Sequence, residues 1–193
     1  LLHPCQALSD MLTISEHSKK FKGTNLAYLG AANNVSNSLM LTSSILGMNF
    51  YLFSPKEFAA DQKILSKAKD FAKKTNSIIE INNSIASNIS EMDFLYTDVW
   101  ISMGQNLEKE KIIPILKPFQ INAQLLAKAK NAKAMHCLPA HRGEEITSEA
   151  MDGKQSIVFQ QAENRLHAQK ALMVFLLKLR TILFKFLKEK KRK

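Results

Sequence analysis

Short apolar runs of strand length alternate along this chain with amphipathic stretches of helix length, and no other feature restricts its fold so far. The runs are Leu26 to Leu29, Asn49 to Phe53, Ile78 to Ile81, Phe94 to Thr97, Ala134 to His136 and Ile157 to Phe159. Around them, residues 5–20, 35–46, 60–74, 84–90, 107–116 and 122–130 read as helical, and a long helix from about residue 161 closes the fold. Alternation of this kind is the pattern of a parallel sheet with helices on both faces. The expectation is a single Rossmann-like α/β domain with six strands.

The helices carry their own signals. Ala7, Leu8, Met11, Leu12 and Ile14 form an apolar stripe before the turn at Lys22-Gly23, and Val35, Leu39 and Ile45 mark the inner side of the second helix, which Gly47 terminates. Residues 60–74 set lysines opposite Ile64, Leu65, Ala68, Phe71 and Ala72, which describes a solvated amphipathic helix rather than a nucleic-acid patch. The 193 residues are 46% hydrophobic, enough for a real core. No apolar run reaches the ~18 residues that a bilayer span requires, so no transmembrane segment is expected.

Charge is unevenly placed. Of the formal +10, +7 falls in residues 178–193 and only +3 on the remainder, so the body is nearly neutral and no specific nucleic-acid partner is expected. The basic tail, interleaved with Leu183, Phe184, Phe186 and Leu187, suits an anionic lipid surface, but a last helix packed on the sheet with a frayed basic end is the simpler reading. Two cysteines far apart, Cys5 and Cys137, form neither a disulfide framework nor a thiolate zinc site, and they point to a reducing, cytoplasmic setting. The opening Leu1-Leu2-His3-Pro4-Cys5 is not a secretory signal and reads as the interior of a longer protein.

In an open parallel sheet, ligands bind beyond the carboxyl ends of the strands. Three such ends carry polar clusters: Gly30-Ala31-Ala32-Asn33-Asn34, Asp98-Val99-Trp100-Ile101-Ser102-Met103-Gly104, and Cys137-Leu138-Pro139. Gly30 lacks the later glycines of a dinucleotide fingerprint, so no nicotinamide or other cofactor is expected. Asn33 and Asn34 equally suit a helix cap, Asp98 and Ser102 suit loop or capping groups with a solvated carboxylate, and Cys137 suits a small buried apolar position. His136 and Cys137, as neighbours on a strand, are expected on opposite faces and not as a nucleophilic dyad. None of His3, His17, His136, His141 and His167 pairs with another at ligand spacing, and no metal is expected. Arg165, placed in the first turns of the last helix, gains nothing from the helix dipole; an anionic ligand or an ion pair with Glu163 would account for it. His3 and Gln6 open the first helix, where backbone N–H groups also favour an anion.

The string Met135-His136-Cys137-Leu138-Pro139-Ala140-His141-Arg142-Gly143-Glu144-Glu145-Ile146-Thr147 resembles the ornithine carbamoyltransferases closely. His3-Pro4-Cys5-Gln6, Asn33-Asn34-Val35, Thr97-Asp98-Val99-Trp100, Ser102-Met103-Gly104 and Ala162-Glu163-Asn164-Arg165 follow in the family's order and spacing, up to about residue 177. The family has two α/β domains, one for carbamoyl phosphate and one for ornithine, and this chain resembles only the second. No counterpart of the family's Ser-Thr-Arg-Thr-Arg phosphate loop occurs. By this likeness residues 1–20 are an inter-domain helix, 21–177 the ornithine-binding domain, and 178–193 a basic tail.

The resemblance implies that Asn34, Asp98, Ser102 and Met103 hold the amino-acid head group, and that Cys137, Asp98 and Arg165 are catalytic. It implies further that His3, Gln6, Cys137, Leu138 and Arg165 meet carbamoyl phosphate. The implied reaction converts carbamoyl phosphate and L-ornithine to L-citrulline and phosphate, in arginine metabolism, within a homotrimer whose neighbouring subunit supplies part of the phosphate clamp. Two departures stand out: Ala31 replaces a usual Asp, and Gln160 replaces another. They leave open a non-catalytic amino-acid-binding or interaction domain derived from such an enzyme.

Overall fold

The computed structural model describes residues 1–85, 87–101 and 109–190, with side chains described through residue 179 apart from that of Ser87. The chain begins with helix α1 (Pro4–His17), followed by strand β1 (Asn25–Leu29), α2 (Asn34–Leu46) and β2 (Asn49–Phe53). Next come α3 (Gln62–Thr75), β3 (Ile79–Asn82) and β4 (Phe94–Thr97), then α4 (Lys109–Leu116), α5 (Ala123–Lys128), β5 (Lys133–His136), α6 (Ser148–Asp152) and α7 (Val158–Lys190). The five strands form one parallel sheet in the order β3-β2-β1-β4-β5.

That order places the topological switch between β1 and β4, because the chain winds outward from β1 to β3 and then returns to the other side. Leu29 stands beside Thr97, and Thr97 beside His136, so the three polar strand ends lie next to one another. Two apolar layers clamp the sheet. One joins Met11, Ile14, Leu26, Leu39, Met40, Phe50 and Ile64; the other joins Leu29, Phe53, Leu95, Phe119, Leu126 and Ile146. Strands buried on both faces explain why the runs are continuous rather than alternating.

Several expectations need correction. Residues Ile157 to Phe159 are not a sixth strand: Ser156 makes a single bridge to Ala134, and α7 already starts at Val158, with Ser156 Oγ 3.4 Å from its first N–H. A three-residue run next to a capping serine holds too few ladder bonds to compete with a helix. α1 stops at His17 because Ser18 turns extended, and the stretch near 84–90 is a short 3₁₀ helix at Ser87–Glu91.

Leu8, Ile45 and Phe71 are exposed rather than inward. α2 instead buries Ser36, Asn37, Ser43 and Ser44 beside Val35 and Leu39, small polar residues that let helices approach closely. Lys74 Nζ lies 5.9 Å from the centre of the Phe71 ring, which gives that exposed ring a cationic neighbour. α7 packs mainly on α1 and also meets the sheet at β5, and Met173 to Leu177 and Leu179 remain about half exposed.

Candidate functional site

The site begins with β1 ending at Gly30. Its φ of +118° lies in the left-handed region, and a Cβ there would stand 3.1 Å from Trp100 Nε1, so glycine alone fits under the indole. Asn33 then caps α2. Its Oδ1 accepts from Val35 N at 2.9 Å and Ser36 N at 3.0 Å, while Ser36 Oγ accepts from Asn33 N at 2.8 Å, a reciprocal capping box. With Oδ1 committed to the helix, the amide nitrogen faces away and donates to Asp98 Oδ2 at 2.7 Å. Asn34 is the first residue of α2 and is exposed, so Asn33 is the asparagine that reaches the other strand end.

Asp98 follows β4 and is half-buried. Oδ1 accepts from Val99 N at 2.8 Å, so the carboxylate is fixed at both oxygens and is not the solvated loop group expected. Ser102 and Met103 lie outside the described residues. Cys137 follows β5, and burial with the Asp98 carboxylate beside it holds the thiol far above its ordinary range. It is a neutral S–H that donates to Asp98, with the Tyr96 hydroxyl also against the sulfur. A thiol in that state orients a ligand but does not attack one.

His136 and Cys137 do not diverge as strand neighbours would. One ligand atom each from Asp98, His136 and Cys137 lies within 4.8 Å of the others, because β5 ends at His136 and Leu138 adopts a φ of +57°. The imidazole is nevertheless committed. Nδ1 accepts from Leu138 N at 2.8 Å, so the proton sits on Nε2 and goes to Glu145 Oε1 at 3.1 Å. His136 therefore has no free nitrogen for a thiol or a metal. His141, Glu144 and Glu145 form a second tight group, in which Lys109 already neutralises Glu144 at 3.3 Å.

Arg165 lies eight residues into α7 rather than in its first turn. It does not pair with Glu163, which faces His167 at 3.8 Å. Arg165 Nη1 donates to Gln6 Oε1, while its buried Nε–H has no partner. His3 precedes α1 with its backbone N–H on Ser38 Oγ at 2.7 Å. Burial, and then the Arg165 guanidinium, lower the imidazole pKa, which keeps His3 neutral near pH 7. Leu138 is partly buried against the β5 side of the core.

Beneath these groups lies a carboxylate that the sequence reading passed over. Asp10 is fully buried and gathers Gln6, Gln161 and Tyr96. Its signal was an Asp facing inward on an otherwise apolar helix stripe, three residues after Ala7 and four before Ile14. Gln160, one of the two departures, bonds His17 Nε2 at 2.8 Å and Glu16 Oε2 at 2.9 Å, so it fastens α7 to α1 away from the strand ends. Ala31 packs with Trp100, Ile112 and Leu116.

A doubly wound parallel sheet whose switch point gathers a fixed carboxylate, a neutral thiol and a guanidinium is a small-molecule-binding α/β domain, suited to a ligand with both cationic and anionic groups. Residues 22–176 match the family model described as aspartate/ornithine carbamoyltransferase, Asp/Orn binding domain, and the chain belongs to that family. It is 51% identical over 177 residues to an ornithine carbamoyltransferase of Bacillus cereus, a match that covers 91% of this chain and 56% of the relative. The ornithine carbamoyltransferase structure from Pyrococcus furiosus superposes with a TM-score of 0.83 at 42% identity, covering 90% of this chain and 56% of that one. The anabolic enzyme of Campylobacter jejuni gives 0.82 at 34% identity, covering 93% and 60%. The chain thus spans just over half the length of these relatives.

Proposed function

We propose that the chain is the ornithine-binding part of an ornithine carbamoyltransferase, which forms L-citrulline and phosphate from L-ornithine and carbamoyl phosphate. The observation that carries this reading is that His3 lies within electrostatic reach of both the Arg165 guanidinium, with a buried N–H left unpartnered, and the Asp98 carboxylate, which is anchored at both oxygens beside a neutral thiol. Asp98, with Asn34, Ser102 and Met103, takes the charged head group of the amino acid. Free ornithine presents a side-chain amine with a lysine-like pKa of about 10.4, so attack requires a site that favours and aims its neutral form. The Cys137 S–H, held by Asp98, is a dipole at the place where that amine must sit.

Attack on the carbamoyl carbon drives negative charge onto its oxygen, and phosphate then leaves. His3, Gln6 and Arg165 face that side, with the Leu138 backbone bounding it. Neutral His3 donates a hydrogen bond without repelling Arg165. Most of the phosphate clamp comes from the part of the relatives outside the match, in a homotrimer. The two cysteines are both free, which agrees with a cytoplasmic role in arginine metabolism.

The test joins this chain to the unmatched portion of the Bacillus relative and assays citrulline. The fusion is expected to be active, and the chain by itself to produce none at ordinary enzyme rates while still binding an unreactive ornithine analogue. A folded fusion that binds the analogue but makes no citrulline favours the non-catalytic binding domain; a chain that binds no analogue overturns both readings.

A further inference from the structure

Asp10 sits on α1 with no exposed surface, and three donors converge on it. Gln6 Nε2 and Gln161 Nε2 reach Oδ1 at 2.8 and 2.7 Å, and the Tyr96 hydroxyl reaches Oδ2 at 3.1 Å. Each donor continues to a group that the site uses. A glutamine amide that gives its nitrogen to Asp10 must turn its oxygen the other way: Gln6 Oε1 accepts from Arg165 Nη1, and Gln161 Oε1 accepts from His136 N at 2.9 Å. Tyr96 lies between Asp10 and the Cys137 sulfur. One buried acceptor therefore sits at the root of the branches that lead to Arg165, to the end of β5 and to the thiol.

We infer that Asp10 is the positioning residue of this site: it sets the amide orientation of Gln6 and Gln161 and thereby aims the Arg165 guanidinium and holds the strand end that carries Cys137. This deepens the carbamoyltransferase reading and rests on it for the identity of the anion that Arg165 meets. Without an acceptor at residue 10, the Gln6 amide has no reason to keep its oxygen toward Arg165. The guanidinium, without a partner at Nε, then keeps only the Gln169 amide oxygen, 3.0 Å from Nη2 in the orientation that satisfies that amide, and loses the anchor on the Gln6 side. Asp10 touches no substrate. Its effect passes through Gln6 and Gln161, as orienting partners behind metal or catalytic ligands do.

The test uses the 193-residue chain with nitrogen-15 labelling. In the parent, the side-chain amide protons of Gln6 and Gln161 are expected to be inequivalent and slow to exchange, with the Arg165 Nε–H visible; a freely exchanging Gln6 amide overturns the inference before any variant is made. Asp10→Asn keeps an acceptor for both glutamines and turns its own amide to Tyr96, so Gln6 protection should survive, and its loss overturns the inference. Asp10→Leu matches the size without the acceptor, and should raise Gln6 amide exchange in the chain and weaken carbamoyl phosphate binding by the fusion about tenfold, the scale of one lost buried hydrogen bond. A folded Asp10→Leu chain with parent-like Gln6 and Arg165 signals overturns it, whereas a lower melting temperature by itself would mark a merely structural residue. If the folded fusion makes no citrulline while Gln6 order still follows residue 10, the carbamoyltransferase reading fails and the positioning by Asp10 stands.

Discussion

At the level of single residues, two carboxylates differ in what fixes them, and the difference is measurable. Burial pushes Asp10 up to about 7 from its ordinary 3.8, against the opposing pull of its three hydrogen bonds and of Arg165. The folded protein then binds more protons than the unfolded chain between those values. Stability should therefore decline as pH rises through that window and level off above it. Asp10→Asn cannot ionise, so its melting temperature, compared with the parent's at pH 5 and pH 8, should fall less across the interval; parallel declines would show that Asp10 does not set the slope. Asp98 is different. Replacement by Asn puts an amide nitrogen opposite that of Asn33, whose oxygen is committed to its helix, and should cost about 1 kcal/mol in denaturant unfolding. In the active fusion, ornithine binding should weaken much more, since a charge-assisted bond to an ammonium is lost. Equal binding by the two proteins would remove Asp98 from the head-group site.

The elements that carry the site were readable to different depths. The β1, β2 and β4 runs stand where expected because strands buried on both faces are short and continuously apolar, and Gly47 ends α2 in a left-handed conformation. The Ile157 run misled because apolar content says nothing of whether a strand partner is available; there the sheet edge meets a helix start. Asn33 and Asn34 could not be separated by residue type, since either serves as a cap, and only backbone geometry decides which side chain turns toward Asp98. Asn33→Ala should lower stability by about 1 kcal/mol from the lost cap, while Asn34→Ala should barely change it. The same pair read by analogue titration separates roles: on this geometry Asn33→Ala also frees Asp98 and weakens binding, whatever Asn34 does. Equal melting of the two variants would show that the cap contributes nothing.

For the molecule as a whole, the sheet and the meeting of its polar strand ends were legible because they follow from periodicity and strand order. The joint between α1 and α7 was not, since it is made of polar residues with no periodic signature. Gln161, Asn164 and Arg165 of α7 reach Asp10, Thr13, Glu16 and Gln6 of α1, contacts more than 140 residues apart in sequence. Beyond that joint α7 changes character. Residues 173–177 are five consecutive large apolar side chains, all more than half exposed, and the stretch that follows holds most of the chain's excess positive charge. No helix among the described residues is long and apolar enough to cross a membrane. Residues 173–177 and Leu179 are already about half exposed, so the helix has left the core before its basic stretch, and deleting residues 178–193 should move the melting temperature by less than about 2 °C, the shift that a change of under 1 kcal/mol produces in a domain of this size. Deleting from residue 161 instead removes Gln161, Asn164 and Arg165 and should unfold the α1 side of the domain. If the shorter deletion destabilises the chain as much as the longer one, the basic segment is part of the folding unit, and the α1–α7 joint cannot be what holds the helix in place.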